Sequence, residues 1–311
     1  MGAPSAAFET RPFLRIRRVY GDLLAVARTK DIIHGLVEID VTDARQVIDR
    51  RRKGGEDISF TAYLLHVIGR AVDEDRSLHA YRRRNRLVVF DEVDANTQIE
   101  AAVDGQPVVK SIIVRAINRK TVAALTAEIR AEQDPTPLSD RRYRWGLAYL
   151  SLPRPVRRLF WRILLRRPDL FKLLGGTIAV SSVGMFGPAG GWGIPVSPAT
   201  LSITIGGLAT KPRYVDGSLQ ARELLDLTIS VDHAIIDGAP AARFARRLSE
   251  LIGDCAGLEV GTGLEDYASL ESSAGLEVGS GLEVGSGLAD SAGRQDGDVV
   301  GEPTSSPRAG A

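Results

Sequence analysis

Cysteine is almost absent from this 311-residue chain, with Cys255 the only one. No intrachain disulfide can form, and a relay through paired thiols is excluded. Cys255 opens a glycine-rich stretch with no histidine near it, which makes it a poor acyl-carrying nucleophile. Histidine is scarce too: His34, His66, His79 and His233 are all there are, and no metal centre is expected. A long membrane-spanning run is missing. Leu173 to Thr210 carries no charge, but its nine glycines and three prolines break it into short β-branched pieces, read as buried strands and tight turns. The amino terminus, MGAPSAAFETRP, lacks the charged-then-apolar profile of a signal peptide, and Ala6 breaks the myristoylation pattern. These absences lead us to expect a cytoplasmic protein, with the basic segment described below as its one route to a peripheral membrane location.

What is present suits a folded enzyme: 44% hydrophobic and 25% charged residues. The net charge of +1 conceals an asymmetry, because residues 257–311 carry −8 and the remaining body +9. A basic body favours anionic partners, but no nucleic-acid motif accompanies it and nucleic acid is set aside. The spacing predicts helices over Phe13–Arg28, Phe60–Asp73 and, exposed, Lys120–Glu132. Strands are predicted over Gly35–Val41, Leu87–Val93 paired with Thr97–Ala102, Val108–Val114, and Leu225–Val231. His66 lies inside the second helix and reads as packed or hydrogen-bonded rather than catalytic. Strands and helices alternate without a regular βαβ period, which favours a layered α/β (α+β) sandwich over a doubly wound sheet.

Two segments stand apart. Residues 141–172 hold ten basic residues against one acid, Asp169. On a helical wheel Val156, Leu159, Phe160, Ile163 and Leu164 share a face, with Arg157, Arg158, Arg162 and Arg166 opposite. That is the profile of a basic amphipathic helix, able to lie in an anionic membrane surface or on a partner; packing on its own domain with arginines in solvent is the plainer alternative. Residues 255–311 form an acidic tail in which a leucine recurs every six residues from Leu258 to Leu288. With so little to bury, disorder is expected rather than a β-helix.

The most informative stretch is VDHAIIDGAPAARFARRL, Val231 to Leu248. His233 leaves a strand, a carboxylate follows four residues on, and Gly238 turns the chain into a helix. Imidazole is the side chain best suited to take a proton near neutral pH. DHAIIDG and the helix after it resemble the closing motif of the acyltransferase component of 2-oxo acid dehydrogenase complexes, whose catalytic fold is chloramphenicol acetyltransferase-like. IRRVYGDLL (Ile16–Leu24), IHGLVEIDVTDA (Ile33–Ala44), TIAVSSVGMFG (Thr177–Gly187) and GIPVSPATLSITIGGL (Gly193–Leu208) resemble its other elements in the same order. The resemblance covers about Arg11 to Asp254, leaving residues 1–10 as a flexible start.

The resemblance implies a mixed sheet with flanking helices, a homotrimer, and acyl transfer between a coenzyme A thioester and a thiol of the dihydrolipoyl type. His233 would be the general base and Ser181 the donor to the oxyanion, with Ser182 exchanging for it on a one-residue slip. Asp237 would orient the site by pairing with Arg17, which has Arg18 beside it, and Gly238 would support the turn. There are departures. Ala234 replaces the family arginine, SPAT (Ser197–Thr200) replaces N-P-P-E, and no D-K-A motif for lipoate attachment is present. A lipoyl or other carrier is therefore expected in trans, with coenzyme A as substrate and no lipoate on this chain. A non-catalytic trimeric module that recruits a membrane or partner is the rival reading. A condensation-type synthase is a further one, weakened by Asp232 standing where such enzymes carry a second histidine.

Overall fold

Alternation builds the centre of the molecule. Along Ser218–Asp232, Leu225, Leu227, Ile229 and Val231 alternate with Asp226, Thr228, Ser230 and Asp232, so a strand presents one apolar and one polar face. The structure is a computed structural model that describes residues 9–10, 17–103, 106–133, 148–149, 151–183 and 190–258. In chain order the elements are α1 (Arg17–Ala27), β1 (Ile32–Asp40), α2 (Thr42–Lys53) and α3 (Phe60–Glu74), then β2 (Tyr81–Arg83), β3 (Arg86–Val88), β4 (Ala95–Val103) and β5 (Gln106–Val114). They continue with α4 (Val122–Gln133), α5 (Arg154–Leu164), α6 (Pro168–Gly175), β6 (Ile178–Ser182), β7 (Leu201–Val215), β8 (Ser218–Asp232) and α7 (Gly238–Gly253).

Six strands form one mixed sheet in the order β1-β8-β7-β6-β4-β5. β6 runs parallel to both β4 and β7, and the remaining pairs are antiparallel. The apolar face joins one core with helices α2, α3, α4 and α7. α3 starts at Ser59, whose hydroxyl accepts from the Ala62 N–H, and buries nearly every residue from Ala62 to Val72. Leu65 and Leu201 are fully buried. Truncating either to alanine costs about 2–5 kcal/mol.

The layered α/β expectation is met, and several details differ. The chain bends into α2 directly after β1. The predicted pairing of 87–93 with 97–102 does not occur, because β3 pairs with β2 in a separate hairpin while β4 pairs with β5 and β6. α4 is not an exposed helix: Val122, Leu125, Thr126 and Ile129 form a buried i, i+3, i+4, i+7 stripe. The core extends past Asp254, since Ala256 and Leu258 are buried on it. The remainder of the repeat tail, the first eight residues and 134–147 lie outside the described residues.

The polar sheet face is buried as well. Ser202, Thr204, Asp226, Thr228 and Ser230 are all nearly inaccessible. Part of its cover is the irregular segment from Gly190, which meets the bulge at Gly206 and Gly207. The Gly207 N–H donates to the Gly191 carbonyl at 2.8 Å, and the Gly191 N–H donates to Asp226 Oδ2 at 2.6 Å. A Cβ at position 206 would meet the Gly191 carbonyl oxygen at 2.2 Å. Only glycine permits so close an approach of two backbones.

Candidate active site

His233 is the first residue beyond β8, and its turn is braced from three sides. Its N–H donates to the Asp31 carbonyl at 2.7 Å, continuing the β1–β8 pairing by one step. The N–H groups of Ile235 and Ile236 both donate to the Asp232 carbonyl at 2.9 Å. The Asp232 carboxylate is buried, receives Lys30 Nζ at 2.6 Å, and accepts from the Ala234 N–H at 3.2 Å. Lys30 in turn lies over the Tyr81 ring. The position that carries a second histidine in condensation-type synthases thus carries the anchor of the turn.

The imidazole itself is half exposed. Its Nδ1 lies 3.2 Å from the Ile236 carbonyl oxygen. A carbonyl only accepts, so this contact selects the tautomer protonated on Nδ1 and leaves Nε2 with a free lone pair. Asp237 Oδ1 lies 3.7 Å from the same Nδ1 and the carboxylate is 85% exposed. Asp237 begins α7 with an extended backbone and makes no capping bond. Gly238 is the first residue of α7. The side chain of Arg17 falls outside the described residues, so its pairing with Asp237 is not among the observed contacts.

Ser181 sits on β6, half-buried, its hydroxyl 3.2 Å from Thr204 Oγ1. Register separates it from its neighbour: Ser181 shares the polar face with Thr204 and Thr228, whereas Ser182 falls on the side of Ile178 and Val180. The same register shows that Ser181 and His233 do not meet within one chain. Ser181 is level with Thr204 and Thr228, and Thr228 precedes His233 by five residues. Two strand spacings of about 4.8 Å and five rises of about 3.4 Å place them about 20 Å apart.

His66 and His79 are part of the packed interior. His66 is buried with Nδ1 2.9 Å from the Lys120 carbonyl, and burial lowers its pKa. His79 is buried beside Thr177, and burial pushes its pKa down to about 4. Cys255 is partly buried, and burial raises its thiol pKa, which disfavours the reactive thiolate. Among the described residues no group of three or more His, Cys, Asp or Glu could hold a metal ion.

Among the described residues, the mixed sheet carries a serine on its short parallel strand, and a histidine stands between the last strand and the last helix. Residues 162–259 match the model of the family "2-oxoacid dehydrogenases acyltransferase (catalytic domain)". It is 31% identical over 109 residues to the dihydrolipoyllysine-residue succinyltransferase component of the Saccharomyces cerevisiae 2-oxoglutarate dehydrogenase complex, covering 35% of this chain and 24% of that one. With the lipoamide acyltransferase component of the Bacillus subtilis branched-chain alpha-keto acid dehydrogenase complex it shares 21% identity over 258 residues, 80% of this chain and 53% of that one. The chain thus spans about a quarter to about half the length of these relatives. A solved structure of Azotobacter vinelandii dihydrolipoamide acetyltransferase, from a study of one serine, one histidine and one asparagine in its catalytic mechanism, has the same fold. The TM-score is 0.60 at 18% identity, over 82% of this chain and 96% of that one.

Proposed function

We propose that this chain transfers an acyl group between coenzyme A and a thiol of the dihydrolipoyl type, with His233 as general base and Ser181 as oxyanion donor. The observation that carries the reading is the His233 turn, which spends Nδ1 on the Ile236 carbonyl and keeps Nε2 free. In the forward step Nε2 takes the proton of the attacking thiol, and the thiolate adds to the thioester carbonyl. The Ser181 hydroxyl donates to the resulting oxyanion, a contact of a kind worth about 3–4 kcal/mol of barrier. Collapse expels the other sulfur as thiolate, and the imidazolium returns the proton to it. Asp237, exposed and 3.7 Å away, adds at most a weak stabilisation of that imidazolium.

Spacing supports the assignment. Ser181 precedes His233 by 52 residues and Asp237 follows it by four. The serine, histidine and asparagine studied in the Azotobacter vinelandii enzyme have the same separations. The distance of about 20 Å within one chain supports a site completed by Ser181 of one copy and His233 of another, in the trimer implied by the family. Leu36, Val183, Trp192, Ile194 and Val196 are exposed apolar side chains available to such a contact.

Release of free coenzyme A from acetyl-, propionyl- and longer acyl-CoA, each with dihydrolipoamide, tests the reading. Release that depends on the acyl donor and is lost in His233→Ala is expected. No turnover from a folded protein that also fails to bind coenzyme A would instead establish the non-catalytic module.

A further inference from the structure

α5 is mounted the opposite way round from an ordinary surface helix. The residues it turns into the protein are Arg157, Trp161 and Leu164. Arg157 is buried: its Nε donates to Asp22 Oδ2 on α1 at 2.7 Å and its guanidinium also donates to the Leu152 carbonyl. Tyr149 donates to the same Asp22 oxygen and accepts from the Trp161 indole N–H at 2.8 Å. Burial resists ionisation of Asp22, but the hydrogen bonds from Arg157 and Tyr149 outweigh it and hold the carboxyl below its usual range. Leu164 joins Tyr81 and Phe171 in a small core separate from the main one. A largely buried ion pair therefore ties the helix to α1.

The apolar stripe is left outside. Val156 is 44% exposed, Leu159 54%, Phe160 39% and Ile163 49%, at the i, i+3, i+4, i+7 positions of one face. Leu173 and Leu174 on α6 are exposed as well. This overturns the plain expectation that these residues pack on the domain and leave only arginines in solvent. At 100° per residue, Arg154, Arg158 and Arg162 fall between the clamped face and the apolar stripe. Arg158, Arg162 and Arg166 are exposed and make no ion pair among the described residues. The β2–β3 hairpin packs on the same small core through Tyr81 and Val88, and it adds exposed Arg83, Arg84 and Arg86.

From this arrangement we infer that α5, with the arginine hairpin beside it, docks the protein on an anionic lipid bilayer. Four large apolar side chains on a single protruding helix suit insertion to the depth of the acyl boundary. The flanking arginines can bury their stems while their guanidinium groups reach lipid phosphates. A second copy of the same surface would oppose arginines to arginines, whereas a bilayer offers diffuse negative charge.

The test is co-sedimentation of the full chain with vesicles of phosphatidylcholine alone, or with about a quarter phosphatidylglycerol. Wild type, the double variant Leu159→Glu/Ile163→Glu and the double variant Arg158→Gln/Arg162→Gln are compared, with circular dichroism confirming the fold and light scattering the mass. All four positions are exposed. Wild type should pellet with the anionic vesicles at low salt and at least about tenfold less with neutral ones. The apolar-to-acid variant should lose at least about tenfold in binding, and the arginine variant about fivefold per residue. Wild type that ignores anionic vesicles overturns the inference, as does equal binding by the Leu159/Ile163 variant. A fall in mass of that variant with vesicle binding intact would also overturn it, assigning the face to a second copy.

Discussion

If Ser181 and His233 act across a subunit boundary, two inactive variants should restore each other. Ser181→Ala removes the oxyanion donor and should lower kcat by about 10²–10³. His233→Ala removes the base and should lower it by about 10²–10⁴. Each protein alone then has about 1% of wild-type turnover or less. In trimers assembled from equal amounts of both, each site draws one serine and one histidine. One draw in four pairs the intact serine of one variant with the intact histidine of the other. The register separation of about 20 Å argues against a shared site within one chain. Coenzyme A release by the mixture, after co-refolding or co-expression, should therefore recover to about a quarter of wild type, which is at least tenfold above either parent. Separately purified trimers combined without exchange should recover nothing. A co-assembled mixture with only the average of its parents would refute the intersubunit site, and with it the use made of the strand register.

Three further outcomes follow from the packing. Asp232→Ala leaves Lys30 without its carboxylate and Ala234 without its acceptor. Stability in urea should fall by about 3 kcal/mol, and kcat should fall because the turn holding His233 loosens; wild-type values for both would show that the brace is idle. Gly206→Ala drives a Cβ into the Gly191 carbonyl, so the melting temperature should drop by an amount equivalent to about 1–3 kcal/mol or more. An unchanged melt would mean that the segment from Gly190 does not lie on the bulge. His79, held neutral by burial with a pKa pushed down to about 4, ties stability to pH. The unfolded chain binds the proton first on acidification, so the contribution is complete above about pH 6.5 and is lost as pH falls toward about 4, amounting to about 3 kcal/mol. Urea midpoints should fall over that window in wild type and fall less in His79→Gln; parallel curves would contradict the burial argument.

The residues differ in how openly they announce their places. β8, the His233 turn and α7 are contiguous in sequence, and two clean periods, two and then 3.6, flank the motif, so the elements could be read directly, while His233 as candidate base came from the resemblance of the motif between them. Ser181 and its strand were also readable, but the choice between Ser181 and Ser182 needed the register with Thr204, a pairing across 23 residues. The hairpin of Tyr81–Arg83 and Arg86–Val88 was hidden because arginine-rich strands show no alternation, while the partner of β4 that mattered was the distant β6. α2 was hidden by its charges and α4 by the alanines and threonine that dilute its stripe. The helical wheel of α5 identified its apolar face but not its orientation. Asp22, 135 residues away, decides that by burying Arg157 and turning the leucines outward.

The central claim is that acyl transfer runs through His233. Formation of S-acyl dihydrolipoamide from acyl-CoA, followed by mass spectrometry for wild type beside His233→Ala, tests it most directly. Product from wild type and a loss of at least about 10²-fold in the variant, with coenzyme A binding retained, are expected. Equal product from both proteins would contradict it.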